Sequence, residues 1–163
     1  MIEEYNLSFL NLNKIKEVLF NIEATEHGLL SDGRSTFNYG MPILLYPELK
    51  SLYAILKKYV RLYCNQHNIS KLKFINSWFN ITNPGNKLKA HHHGEDGLSG
   101  AFYVSVGEQS VPLIFPDVQI KPYSGLLVIF PSSTIHYTEE EQEQRVVISF
   151  NTDYEESTRH TGY

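Results

Sequence analysis

The chain has 163 residues, enough for one compact domain over 1–163 with a single core. At 42% hydrophobic and 20% charged it has the balance of a folded soluble protein, and no apolar run approaches the ~18 residues of a membrane span. A net charge of −4 with neutral histidines, and no basic stripe, argue against bulk nucleic-acid binding.

Met1-Ile2-Glu3-Glu4 starts acidic, without the basic segment and apolar stretch of a secretory signal, so a cytoplasmic protein is expected. Leu12, Ile15, Val18, Leu19 and Ile22 recur at helical spacing and predict an amphipathic helix over about 12–24, capped by Asn11 or Asn13. The stretch from Gly28 to Gly40 is polar and carries a turn signal, Asp32-Gly33-Arg34-Ser35. Pro47 suits the first turn of a second helix, whose face of Leu49, Leu52, Leu56, Tyr59, Val60 and Tyr63 runs to about Gln66. Its single Cys64 has no internal disulfide partner, which agrees with a reducing compartment. Lys57, Lys58, Lys71, Lys73, Lys87 and Lys89 read as a solvated face.

Near residue 70 the helical period gives way to short β segments. The helical part is expected over about 10–68 and the β core over about 71–152. Strands are predicted at 73–81, 99–106, 111–115, 119–120, 125–130 and 145–151, with a turn at Asn83-Pro84-Gly85-Asn86 and a bend at Gly94-Glu95-Asp96-Gly97. The run Glu139-Glu140-Glu141-Gln142-Glu143 reads as a polar loop, and the tail after Asp153 as a fraying end. Short strands in succession indicate a sandwich or open barrel.

Chemistry concentrates in the histidines: His91, His92, His93, His136 and, less directly, His27. On a strand, His91 and His93 point to one face and His92 to the other. His136 follows the apolar 125–130 strand and the Pro131-Ser132-Ser133 turn, where a sandwich can bring it opposite the His91/His93 segment. Two ligands from one segment and a third from another leave open positions on an ion, the arrangement of non-haem iron oxygenases. A triple-histidine run is also what a surface accident or adventitious zinc site presents, and a lone His136 or Arg145 would suit a core histidine and an ion-paired arginine. The ordered set His-x-His, Gly-led apolar strand, His, then Arg is more specific than its parts. A buried arginine can grip one end of a dicarboxylate through two parallel hydrogen bonds.

Asn76-Ser77-Trp78-Phe79-Asn80, His91-His92-His93 with Leu98-Ser99-Gly100-Ala101-Phe102-Tyr103-Val104, Gly125-Leu126-Leu127-Val128-Ile129-Phe130-Pro131-Ser132 ending in His136, and Arg145-Val146-Val147-Ile148-Ser149-Phe150-Asn151 resemble a 2-oxoglutarate/Fe(II) oxygenase family common in marine bacteria and tailed phages, within a superfamily that includes prolyl hydroxylases. The resemblance covers roughly 10–152. It implies a mainly β fold with N-terminal helices: a double-stranded β-helix (jelly roll, cupin-like) with helices packed on one sheet. It implies His91 and His136 as metal ligands, Arg145 as the 2-oxoglutarate carboxylate anchor, and Tyr103 and Asn80 as pocket residues. Position +2 is His93, where that superfamily usually has Asp or Glu. His93 is therefore the expected second ligand, with Asp96 or Glu95 as the alternative carboxylate and His93 then in a supporting position.

The implied activity is that of a dioxygenase using Fe(II), 2-oxoglutarate and dioxygen to oxidise a C–H bond, giving succinate and carbon dioxide. Phe102, Tyr103, Phe115 and Phe130 are candidates for the walls of a dry cavity. Two other classes compete: a cupin-like metalloenzyme that does not use 2-oxoglutarate, and a non-catalytic binding protein on the same scaffold.

Overall fold

Side-chain alternation along the strands organises the structure, because the main sheet is covered on both faces. The computed structural model describes residues 1–22, 25–26, 34–35 and 41–155. In chain order these form β1 (Glu3–Asn6), α1 (Leu12–Phe20), β2 (Thr25–Glu26), β3 (Arg34–Ser35), 3₁₀ turns at Ile43–Leu45 and Pro47–Leu49, and α2 (Lys50–Gln66). Then follow β4 (Leu72–Thr82), β5 (Leu98–Ser105), β6 (Leu113–Ile114), β7 (Gln119–Ile120), β8 (Leu126–Pro131) and β9 (Arg145–Tyr154).

The side chain of Asn11 caps α1, accepting from the Lys14 amide at 3.1 Å. The helix stops at Phe20, short of the expected 24. Asn21 N–H reaches Val18 O at 3.2 Å and Ile22 N–H reaches Leu19 O at 3.1 Å, so the last turn tightens to three-residue spacing. Pro47 opens a 3₁₀ turn that feeds α2, which ends at Gln66 as expected. Of the expected turn at 32–35, Arg34 and Ser35 form β3; Asp32, Gly33 and His27 lie outside the described residues. The expected fraying tail begins later than Asp153, since β9 runs to Tyr154, and 156–163 lie outside the described residues.

Seven strands form one antiparallel sheet in the order β1-β8-β5-β9-β4-β3-β2. One face carries Phe79, Ile81, Phe102, Val104, Leu127, Ile129, Val146, Ile148 and Phe150, and these pack on Leu19, Leu52, Leu56, Val60 and Tyr63 of the helices. The other carries Ala101, Tyr103, Leu126, Val128, Phe130 and Val147, packed on Leu113, Phe115 and Ile120. Burial on both faces explains why β8 reads Leu-Leu-Val-Ile-Phe without alternation. Full burial of a side chain such as Phe102 contributes roughly 1.5–3 kcal/mol.

The second layer is smaller. β6 pairs with β7, Ile114 bridges Tyr137, and His91 bridges His136. The 88–93 segment that carries His91 and His93 runs beside 132–138, joined by this bridge, by Thr138 N–H to Leu88 O at 3.1 Å and by His93 N–H to Ser132 O at 2.8 Å. The two layers form a jelly roll with both helices on the outer face of the large sheet, and the space between the layers is where the histidines meet.

Candidate metal centre

Three imidazoles converge between the layers. The ligand atoms of His91, His93 and His136 all lie within 4.8 Å of one another. They are the one such cluster of histidine, cysteine or carboxylate groups among the described residues. Glu95 and Asp96, the alternative ligands, are exposed and stand outside the cluster.

Local backbone geometry aims two of the rings. His91 Nδ1 lies 2.7 Å from Lys89 O, and His136 Nδ1 lies 2.9 Å from Thr134 O. A carbonyl only accepts, so each Nδ1 carries the proton, and each Nε2 presents a lone pair. Metal-binding histidines are oriented by this kind of second contact. The His93 amide donates to Ser132 O at 2.8 Å, tying that segment to the turn before His136. Beneath it runs a buried chain: Ser99 Oγ donates to Asn151 Oδ1 at 2.7 Å, which leaves it to accept from Ser132 Oγ at 2.9 Å.

Burial favours the neutral form of His91 and His136. It pushes the His136 pKa down to about 4, with His91 and His92 adding to the effect and the Thr134 carbonyl opposing it. His91 is also lowered, by burial first and then by His92, against the Lys89 carbonyl. The Phe130 and Phe115 rings, 4.8 and 5.9 Å from His136 between centroids, supply the apolar surround.

From the imidazoles a cavity of about 50 Å³ extends over the inner face of the large sheet to Arg145. Strand register lays its floor in rows. Ala101, Ser149 and Trp78 are neighbours across β5, β9 and β4. Next come Tyr103, Val147 and Asn80, then Arg145 opposite Thr82. Trp78 stands at the histidine end, its ring 5.6 Å from that of His93. Tyr103 is buried, and burial raises its phenol to about 12, Arg145 pulling it down and Glu141 pushing it up. Asn80 Oδ1 is buried without a hydrogen-bond partner.

Arg145 is 4% exposed, and its Nη1 lies 2.9 Å from Oε2 of Glu141, also buried. The contact is an ion pair by distance, but the N–H does not point at the oxygen, so Nε and Nη1 have no hydrogen-bond acceptor. Glu141 corrects the reading of 139–143 as simply a polar loop: one of its carboxylates turns inward. Sequence reasoning also missed Trp78, Thr82, Thr138 and Ser149 as cavity residues. Period-two spacing from Asn80 would have found the first two. Glu141 has no such marker, since nothing in a run of glutamates distinguishes the buried one.

No protein-family model matches the chain, and no curated protein matches it. Solved structures do. It is similar to a viral collagen prolyl hydroxylase from Paramecium bursaria Chlorella virus-1, in a 2-oxoglutarate complex, with TM-score 0.69 and 18% identity over 94% of this chain and 96% of that one. A prolyl-4-hydroxylase from Pseudomonas putida matches with TM-score 0.66 and 15% identity, over 94% and 92%. HygX from Streptomyces hygroscopicus, with nickel and 2-oxoglutarate bound, matches with TM-score 0.67 and 11% identity, over 94% and 82%. At such identities the likeness is one of architecture: the chain has the double-stranded β-helix fold of prolyl hydroxylases and other 2-oxoglutarate/Fe(II) oxygenases.

Proposed function

We propose that the protein is a non-haem Fe(II), 2-oxoglutarate-dependent dioxygenase of the hydroxylase type. The observation that carries the reading is the joint placement of three imidazoles and one buried guanidinium on a single cavity. The donor set fits a first-row dication, since imidazole nitrogen suits iron and its congeners. Arg145 is buried on the same cavity, and a guanidinium can take a carboxylate through two parallel hydrogen bonds.

On this reading His91, His93 and His136 hold the metal through their nitrogens. Coordinating imidazoles bring no charge, so the ion would keep its full charge for an anionic co-substrate. Arg145 receives the far carboxylate, with Tyr103 and Asn80 as polar pocket contacts. Tyr103 stays a phenol at any working pH and so acts only as a hydroxyl. Phe115 and Phe130 exclude water around His136. With 2-oxoglutarate and dioxygen, Fe(II) supplies the oxidation of a substrate C–H bond, with succinate and carbon dioxide as co-products. The protein's contribution is orientation and exclusion of water. No helix among the described residues is long and apolar enough to cross a membrane. The buried, unpaired Cys64 fits the reducing cytoplasm as the setting.

The test is succinate formation from Fe(II), 2-oxoglutarate and oxygen. We expect turnover that His136→Ala abolishes; turnover equal to that of free Fe(II) contradicts the reading. One observation favours a second reading. Arg145 already faces a carboxylate, as in a metalloenzyme that has no use for 2-oxoglutarate. In that case Arg145→Ala leaves metal-dependent activity intact, whereas the oxygenase reading has it fall with 2-oxoglutarate affinity.

A further inference from the structure

Glu141 does not line the cavity, yet it is the one ion-pair partner of Arg145 among the described residues. Its carboxylate is itself rigidly held. Oε1 accepts from the Val111 and Gln142 amides, both at 3.1 Å, leaving Oε2 toward the guanidinium at 2.9 Å. Its backbone is pinned as well: the Glu141 amide donates to Asn86 O at 2.7 Å, and Gly85 N–H donates to Glu141 O at 2.8 Å. The glutamate therefore joins the 83–86 turn, the chain entering β6 and the start of β9 at one buried point. From β6, Leu113 enters the same cavity as Arg145.

A buried cation without a partner is costly, and a long side chain whose donors have no acceptors has no fixed direction of its own. We propose that Glu141 is the positioning residue of the carboxylate anchor: it holds the Arg145 guanidinium paired and aimed into the cavity before the co-substrate arrives. This rests on the reading of Arg145 as that anchor. The glutamate acts only through the arginine, so its removal affects ligands that reach Arg145 and spares those held at the metal alone.

The experiment is anaerobic calorimetry on the Mn(II)-loaded full chain, comparing wild type, Glu141→Gln and Glu141→Asp. Two probes are used: 2-oxoglutarate, and 2-oxobutyrate, which has no far carboxylate. We expect Glu141→Gln to weaken 2-oxoglutarate binding by at least about tenfold, the scale of a lost supporting contact. Mn(II) and 2-oxobutyrate affinities should stay within about twofold, as no contact of theirs is removed. Glu141→Asp, which keeps the charge but withdraws it from Nη1, should fall between, and it decides the matter alone should the glutamine variant not fold. Equal weakening of both acids, or 2-oxoglutarate binding that is unchanged or tighter, overturns the inference while leaving the oxygenase reading standing. Failure of the wild type to bind 2-oxoglutarate overturns both.

Discussion

His91 and His136 are joined backbone to backbone: His91 N–H donates to His136 O at 3.2 Å, and His136 N–H donates to His91 O at 3.0 Å. A single antiparallel bridge thus brings two candidate ligands from distant parts of the chain to ring centroids 4.3 Å apart. In each, the Nδ1 proton goes to the carbonyl two residues before it. The nitrogen left free, Nε2, is set by the backbone rather than by a replaceable side chain.

Substitution of either ring should therefore remove the centre, not retune it. We expect His91→Ala and His136→Ala to lower affinity for Fe(II) or Ni(II) by more than about 100-fold, beyond the usual cost of a lost supporting contact. His92→Ala is the internal control. Its ring is exposed and outside the cluster, so isothermal titration should show metal affinity close to wild type.

The depressed pKa of His136 gives the metal-free protein a definite pH dependence. In the unfolded chain this imidazole takes up a proton near its ordinary 6.5; in the fold it resists until about pH 4. Between those values the unfolded state binds more protons, so stability falls as pH drops through that window and levels off below it. The full effect is about 3 kcal/mol at most. Urea unfolding of metal-free protein from pH 7.5 to 4.5 should show the decline, with His136→Ala showing a shallower one.

Two glycines separate backbone strain from crowding. Both Gly85 and Gly97 have positive φ, +87° and +83°. A β-carbon at Gly85 would meet nothing within 4 Å, whereas at Gly97 it would lie 2.0 Å from Thr152 O, where β5 begins. Gly85→Ala should cost roughly 1 kcal/mol, from conformation alone. Gly97→Ala adds a steric clash, roughly 1–3 kcal/mol more. Thermal unfolding should rank the two accordingly; equal losses would mean that the contact with Thr152 relaxes freely.

Tyr103 and Asn80 flank Val147 on the cavity floor, one row from Arg145. Under the proposed function Tyr103→Phe keeps the buried ring and removes only the hydroxyl. Affinity for 2-oxoglutarate should drop several-fold, in line with one lost hydrogen bond of about 1 kcal/mol, while Mn(II) affinity holds. No change in either would make Tyr103 a core residue and nothing more.

Much of this was legible in the sequence because it is written in spacing. The i, i+2 relation of His91 and His93 survives although their segment makes isolated bridges rather than a regular strand. The apolar run of β8 announces a strand buried on both faces, and the Leu52, Leu56, Val60 and Tyr63 stripe announces α2. What escaped has little spacing to read. β1 reads Glu-Glu-Tyr-Asn, an edge strand held by its pairing with β8 and by Tyr5 against Tyr59, and its composition looks like a loop. β2 and β3 are two residues each. The burial of Glu141 depends on amides at Val111 and Gln142 and a guanidinium at Arg145 that meet only in three dimensions.

The most direct measurement is an anaerobic titration of the Fe(II)-loaded protein with 2-oxoglutarate, followed by visible absorption. We expect a metal-to-ligand charge-transfer band that saturates at one equivalent, disappears in His136→Ala and needs far more ligand in Arg145→Ala. A protein that binds one Fe(II) yet develops no band at saturating 2-oxoglutarate would contradict the shared cavity of metal and diacid proposed here.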